Sequence, residues 1–303
     1  MIDSLVSVAI PAYKGKYLEK TIESVLNQTY KNFELIIVND QSPEDLGSIV
    51  ESLADKRIRY YVNDVNLGRE DPANNWNKCL SYAKGEFFCL LCDDDIYRPT
   101  FIEEMLSLAN AYPNCNVFRA RCGTIDRDGI LKDLYPSSPS WELSEDYMYH
   151  VFKGVRHQTI SEWFYRTEDL RVSGAFVHFP LAWHADYFSI FLISRNGGIV
   201  STNIPLVFFR MSGENISSNN KTDGLKKAQA NFEAYQAAKE LITKADSLYK
   251  PILSVELESW KKMIDSNLLS TLILYEKIKV IFHMKRYCFR LSSIVRGVLL
   301  SFR

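Results

Sequence analysis

The sequence predicts an α/β fold: a mostly parallel sheet flanked by helices, followed by a helical C-terminal extension. Three observations carry that expectation. Nearly continuous apolar runs of strand length alternate with segments of helical periodicity between residues 5 and 112. The runs lack the in-out alternation of a half-solvated sheet, so each is expected to be buried on both faces, as parallel strands are. The composition, 47% hydrophobic and 24% charged over 303 residues, supplies material for a large core. It excludes a disordered chain, a collagen-like fibre and a disulfide-stapled miniprotein.

Taken in order, residues 5–10 form an apolar strand ended by Pro11. From Tyr17 onward Leu18, Ile22, Val25 and Leu26 recur at helical spacing. Residues 33–38 are a second strand. Ser42-Pro43-Glu44-Asp45 reads as a helix start, with a cap, a proline in the first turn and an acid at the third position. Leu46, Ile49, Val50 and Leu53 continue that helix on one face. A strand at 58–62, a helix at 72–83, a strand at 86–91 and a helix at 99–112 complete the alternation.

Charge and cysteine usage bound the setting. Residues 1–215 carry 21 Lys/Arg against 29 Asp/Glu, and residues 216–303 carry 15 against 8, an acidic body with a basic tail. Cys89 and Cys92 form a C-x-x-C, with Cys115 and Cys122 following, the spacing that raises a zinc site. On a strand, residues three apart face opposite sides, so buried small apolar side chains are the favoured reading. Reduced thiols, a first strand with no signal-peptide pattern before it, and the absence of an apolar stretch of about 18 residues point to a cytoplasmic chain without a membrane span.

An open parallel sheet binds ligands beyond the carboxyl ends of its strands. Those positions hold Pro11-Ala12-Tyr13, Asn39-Asp40-Gln41-Ser42, residues 63–69, and Asp93-Asp94-Asp95. No G-x-G-x-x-G or G-x-x-x-x-G-K-[ST] follows any strand, which argues against a dinucleotide dehydrogenase and a P-loop phosphotransferase. The rim is instead lined with carboxylates. Three adjacent aspartates repel one another and raise each other's pKa unless a cation or hydrogen-bond donors offset the charge. Hard divalent cations take such ligands together with substrate phosphates. The bland alternative is one aspartate capping the next helix and two in solvent.

Residues 6–13, residues 22–30 and residues 33–40 together resemble the opening of glycosyltransferase family 2. Asn66-Leu67-Gly68, Ala83-Lys84-Gly85-Glu86, the aspartate triplet, His184-Ala185-Asp186 and Pro205-Leu206-Val207-Phe208-Phe209-Arg210 continue in the family's order. The resemblance covers roughly residues 5–217. It implies a GT-A catalytic domain over 1–217, with a nucleotide-sugar half to about residue 122 and an acceptor half from about 123. It also implies inverting sugar transfer from a nucleoside diphosphate sugar, UDP-sugars being the commonest donors in the family. Pro11, Ala12, Tyr13 and Asp40 would hold nucleobase and ribose, with Asn66 beside them and Asp93 near the ribose. Asp94 or Asp95 would bind Mn²⁺ or Mg²⁺ bridging the phosphates, so that the cation neutralises the leaving group. Arg210 would pair with phosphate, and Arg69 is a weaker phosphate candidate. Asp186 would take the proton from the acceptor hydroxyl.

Two positions depart from the family's pattern. Ala185 replaces the usual glutamate before Asp186, and Ser212 stands where many relatives have histidine. They keep alive a second reading, a GT-A-like binding or assembly module without catalysis. A nucleotidyltransferase is disfavoured, since no glycine-rich basic loop lies near the N-terminus. Residues 141–183 are rich in aromatics, which suit either an acceptor groove or a core, with a saccharide or lipid-linked saccharide in surface polysaccharide synthesis as the expected acceptor. The 218–303 extension carries Lys261, Lys262, Lys277, Lys279, Lys285, Arg286, Arg290, Arg296 and Arg303 among apolar residues. Such helices either lie peripherally on the inner face of the plasma membrane or pack on the domain with lysines outward. No aromatic-basic readout motif accompanies the charge, so no nucleic-acid partner is expected.

Overall fold

The structure, a computed structural model, describes residues 4–213 and 223–283. Its sheet opens with four parallel strands in the order β3-β2-β1-β4: β1 (Val6–Ala12), β2 (Phe33–Asn39), β3 (Ile58–Val62) and β4 (Phe87–Leu90). Val8 lies opposite Leu35 on one side and Cys89 on the other. Helices α1 (Leu18–Leu26), α2 (Leu46–Ser52) and α3 (Ala73–Tyr82) connect these strands, as the periodicity predicts. After β4, the two-residue strand β5 (Ile96–Tyr97) leads into α4 (Phe101–Ala111).

The second half departs from simple alternation. Strands β6 (Val117–Ile125) and β10 (Ile199–Arg210) are parallel to each other. Between β4 and β6 sits β9 (Trp163–Arg166), antiparallel to both. Short strands β7 (Leu131–Leu134) and β8 (Trp141–Glu142) pair antiparallel with β6 and β10, and β5 pairs antiparallel with β10. Two parallel blocks are thus joined by one reversed strand. Helices α5 (Ser144–Phe152), α6 (Thr167–Val172) and α7 (Ala185–Ile193) fill the connections.

Burial on both faces follows directly from the apolar runs. Val6, Val8, Ile10, Leu35, Ile37, Phe87 and Cys89 pack on one side with α1, α2 and α4. Ala9, Ile36, Val38, Phe88 and Leu90 pack on the other with α3, α5 and α7. Cys89 belongs to the first cluster and Cys92 flanks the second, so the C-x-x-C pair is split by the sheet. The start of α2 differs from expectation. Its cap is Asp45, which accepts from Ser48 N at 3.1 Å. Ser42 is already engaged, donating to Tyr13 O at 2.6 Å and accepting from Glu44 N at 3.0 Å.

Gly85 packs directly against the backbone at the start of β1. A Cβ there would sit 2.6 Å from both Leu5 O and Ser7 N, backbone atoms of the neighbouring strand. Gly85→Ala is therefore expected to cost about 3 kcal/mol, the upper range for overpacking, read as a lower urea midpoint at unchanged m value.

The extension comprises α8 (Gly224–Lys244), α9 (Lys250–Thr271) and α10 (Leu274–Phe282). Ala230, Ala234 and Ala238 of α8 and Leu253, Leu257 and Trp260 of α9 join the core beside α5 and α7. The lysines do not all face outward: Lys227, Lys261 and Lys277 are buried. Among the described residues no helix is long and apolar enough to cross a membrane. Lys285, Arg286, Arg290, Arg296 and Arg303, and the start of the extension at 218–222, lie outside the described residues. Most aromatics of 141–183 prove to be core. Tyr147, Trp163, Phe164, Tyr165 and Phe176 are fully buried, whereas Trp141 is exposed.

Candidate functional site

The carboxyl ends of β1, β2 and β4 converge on buried aspartates. Asp93 Oδ2 accepts from Tyr13 N at 2.8 Å and Lys14 N at 2.7 Å, drawing the loop after β1 onto the end of β4. Burial pushes the Asp93 carboxyl up, and the two amide donors and the Lys14 charge oppose that. Tyr13 itself stays 40% exposed, a ring edge open to a ligand. Pro11 and Ala12 form the strand end behind it, against Val38 and Asn39.

Asp40 shapes the next loop. Its Oδ1 accepts from Leu67 N and Asn63 Nδ2 at 2.8 Å each, and its Oδ2 accepts from Gly68 N at 2.7 Å. A Cβ at Gly68 would stand 2.9 Å from that oxygen, so only glycine lets the turn close on the carboxylate. Asn66 rides on this clamped loop half-buried, and Arg69 beyond it is exposed.

The triplet's other members differ in environment. Asp95 is fully buried; it accepts from Ser161 Oγ at 2.6 Å and from Arg210 N at 2.9 Å. Burial, then the neighbouring Asp94 charge, raise its pKa well above the usual carboxylate range. Among the described residues, the Asp94 carboxylate has one long hydrogen-bond contact, Ser212 Oγ at 3.4 Å. Burial and the Asp93 charge push it up to about 6. Arg210 holds the group together through main-chain carbonyls, donating from Nε to Asp94 O at 2.9 Å and from Nη1 to Asp126 O at 3.0 Å. Its guanidinium lies 4.4 Å from the Tyr17 ring centroid.

Asp186 opens α7 behind an unusual backbone. Leu181, Ala182 and His184 have φ of 60°, 50° and 73°, left-handed values that cost non-glycine residues about 1–3 kcal/mol each. The segment is pinned to the rim where Leu181 N donates to Glu70 O at 2.8 Å. Asp186 accepts from Tyr187 N at 2.9 Å. Burial pushes its carboxyl up to about 6, opposed by Gln158 and the helix-terminal N–H groups. It is thus mostly ionised at neutral pH and close enough to its pKa to exchange a proton. The buried Glu162, paired with Arg119 at 2.6 Å, is near enough for the Asp186 charge to raise it. The 158–162 segment touches Asp95 through Ser161, and Glu162 within it lies close enough to feel the Asp186 charge.

The donor set at the end of β4 fits a hard divalent cation. Asp94 carries a raised pKa that a bound cation would relieve. Among the described residues, the group of three whose potential ligand atoms all lie within 4.8 Å of one another is instead Glu142, Asp146 and His150. It lies beside Ile199, at the opposite end of β10 from Arg210. Glu142 there is already paired with Arg156 at 2.9 Å.

The model of the family described as glycosyl transferase family 2 matches residues 7–172, more than half of the chain and including β1–β4 and the triplet. The chain belongs to glycosyl transferase family 2. An uncharacterised glycosyltransferase of Rickettsia typhi is 36% identical over 143 residues, 47% of this chain and 43% of the relative. The GalNAc(5)-diNAcBac-PP-undecaprenol beta-1,3-glucosyltransferase of Campylobacter jejuni is 31% identical over 157 residues, 49% of this chain and 48% of the relative. The match thus spans under half the length of these curated relatives. In fold, the chain is similar to S. aureus TarS 1-349 in complex with UDP-GlcNAc, with a TM-score of 0.68 at 15% identity, covering 98% of this chain and 90% of that one. It is also similar to the mannosyltransferase PcManGT from Pyrobaculum calidifontis in complex with GDP-Man and Mn²⁺, TM-score 0.57 at 13% identity, covering 99% and 87%. The family 2 chain has the GT-A fold.

Within this family 2 fold, hydrogen bonds bring Tyr13, Asp93, Asp94, Asp95 and Arg210 into one cluster and Asp40 beside the loop of Asn66. Among the described residues no hydrogen bond ties Asp186 or Arg69 into that cluster: Asp186 accepts from its own helix at Tyr187 N, and Arg69 is exposed. Ser161, Gln158 and Glu162 were not legible as site residues. An isolated Ser-Glu pair carries no spacing signal, and its capping-box geometry at Thr159 exists only once the chain turns there.

Proposed function

We propose that this chain is an inverting, metal-dependent glycosyltransferase. It moves a sugar from a nucleoside diphosphate sugar, UDP-linked in first instance, to a saccharide or lipid-linked saccharide in surface polysaccharide synthesis. The observation that carries the reading is Asp94: a buried carboxylate at the carboxyl end of β4 with a raised pKa, flanked by two aspartates whose oxygens are tied to amide and hydroxyl donors. A divalent cation held at Asp94, with Asp95 behind it, would neutralise charge on the departing diphosphate. The loop of Tyr13 and the clamp at Asp40 form the walls for nucleobase and ribose. Arg210 acts by fixing the Asp94 backbone.

In the transfer itself, the Asp186 carboxylate accepts the acceptor hydroxyl proton. The acceptor oxygen bonds to the anomeric carbon from the face opposite the diphosphate. The bond between that carbon and the phosphate oxygen breaks, its electron pair leaves with the nucleoside diphosphate, and the anomeric configuration inverts. The printed name of the C. jejuni relative, a glucosyltransferase for an undecaprenol-linked saccharide, supports the acceptor class. The UDP-GlcNAc and GDP-Man complexes of the two solved neighbours support the donor class, and the Mn²⁺ of the second supports the metal.

The test is calorimetric titration with UDP, GDP, CDP and dTDP, each with and without Mn²⁺. One nucleotide is expected to bind, and to bind more tightly with Mn²⁺. No binding of any of them under either condition would remove the catalytic reading and leave a GT-A-like binding module, to which Ala185 and Ser212 point.

A further inference from the structure

A buried polar chain runs from the start of α7 into the C-terminal helices. His184 Nε2 lies 2.9 Å from Asn231 Oδ1 on α8, and Asn231 Nδ2 donates to Asp265 Oδ1 on α9 at 3.3 Å. Lys261 Nζ, one turn earlier on α9, donates to the other Asp265 oxygen. Asn231, Asp265 and Lys261 are all buried.

The chain has a direction. With the Lys261 ammonium against it, the Asp265 carboxylate is an acceptor, so the NH₂ of Asn231 turns toward it. The Asn231 carbonyl oxygen then faces His184 and fixes the proton on Nε2. His184 is held neutral for this role, since burial lowers its pKa to about 4. Packing adds to the grip: the Trp260 ring lies 5.2 Å from the His184 ring, and Lys227 Nζ sits 4.7 Å from the Trp183 ring centroid.

This matters because the segment being held is strained. Three left-handed non-glycine residues within four positions persist only where neighbours over-determine them. Here much of that restraint comes from α8 and α9. A helical cover that served only to bury apolar surface would need neither a charged pair nor an oriented amide.

We propose that Asn231, Asp265 and Lys261 are positioning residues, which hold His184 and thereby aim Asp186 at the acceptor hydroxyl. This rests on the reading of Asp186 as the proton acceptor. The C-terminal helices then act on the transfer step while leaving nucleotide binding to the β1–β4 half.

Two variants test it in the full chain, Asn231→Leu and the double variant Lys261→Met/Asp265→Leu. The double variant removes both buried charges at once, so no unpaired charge is left to unfold the protein. The probes are UDP-glucose, UDP-GlcNAc and GDP-mannose with Mn²⁺, followed as release of UDP or GDP. Expected for both variants is a fall in kcat of tenfold or more, with donor KM and calorimetric nucleotide affinity within twofold of wild type. A folded variant that keeps kcat within threefold overturns the proposal, as does a parallel loss of kcat and nucleotide affinity. Turnover of Asp186→Asn equal to that of wild type removes the base role of Asp186, and this proposal with it. Active wild type with insensitive variants overturns the positioning role alone.

Discussion

Asp186→Asn is expected to lower kcat by about 10²–10⁴-fold, the range that general acid–base catalysis contributes, or about 3–5 kcal/mol of transition-state stabilisation. Asparagine fills the same space but cannot take the acceptor proton. Nucleotide affinity should stay within twofold, because Asp186 belongs to a different rim segment from Asp40 and Asp93. In wild type, kcat should fall as pH drops through about 6, where the half-buried Asp186 carboxylate takes up a proton and ceases to act as a base. That acid limb should vanish in the variant. Stability gives an independent readout with a definite sign. The folded pKa is raised, so wild type holds the favourable protonated form at low pH and loses that advantage as pH rises through about 6. Asp186→Asn should therefore be more stable than wild type at pH 8, by on the order of 1–3 kcal/mol, and equal to it below pH 4. A variant with kcat within tenfold of wild type would move the base role elsewhere, with the buried Glu162 the next carboxylate to test.

Asp94→Asn is expected to abolish the metal dependence of nucleotide binding, leaving only the affinity wild type shows without Mn²⁺. Mn²⁺ should also raise the unfolding midpoint of wild type, since a ligand at a hundred times its Kd adds about 2.7 kcal/mol to the native state. Asp94→Asn should show no such rise. Asp95→Asn discriminates between the two candidate ligands. Asp95 is a junction between the Ser161 hydroxyl and the Arg210 backbone, so its loss should lower stability before it touches metal affinity. Unchanged stability with lost Mn²⁺ response in Asp95→Asn, and a retained response in Asp94→Asn, would exchange their roles.

The legible part of the molecule is its first 112 residues, and the reason is local. Apolar runs at 33–38 and 86–91 have no alternation, so they declare burial on both faces, and each is followed within a few residues by the polar groups of the rim. The reversed strand β9 was not legible. Four residues, Trp-Phe-Tyr-Arg, are too few to display a period, and their aromatic character suits a groove as well as a core. The start of α2 misled for a different reason: Ser42 has a good cap side chain, but the loop after β1 claims its hydroxyl.

By itself the sequence determined the α/β class, the order of the first strands and helices, and the placement of Asp40, Asp93, Asp94, Asp95 and Asp186 as candidates. The class, the element order and the rim aspartates depend on residue type and on spacing along a single segment, whereas Asp186 entered as a candidate through the resemblance to family 2. The tertiary structure alone decided how the aspartates divide their work. Asp93 binds the β1 loop, Asp40 clamps Gly68, Asp95 joins β4 to Ser161 and β10, and Asp94 is left with one long hydroxyl contact. It also decided that Lys261 lies buried against Asp265, two bonds removed from His184 along a hydrogen-bonded chain. Apart from the Lys261–Asp265 pair, one turn apart on α9, those assignments rest on partners 28 to 118 residues apart, and donors and acceptors so distant in sequence meet only when the sheet and the extension have folded together.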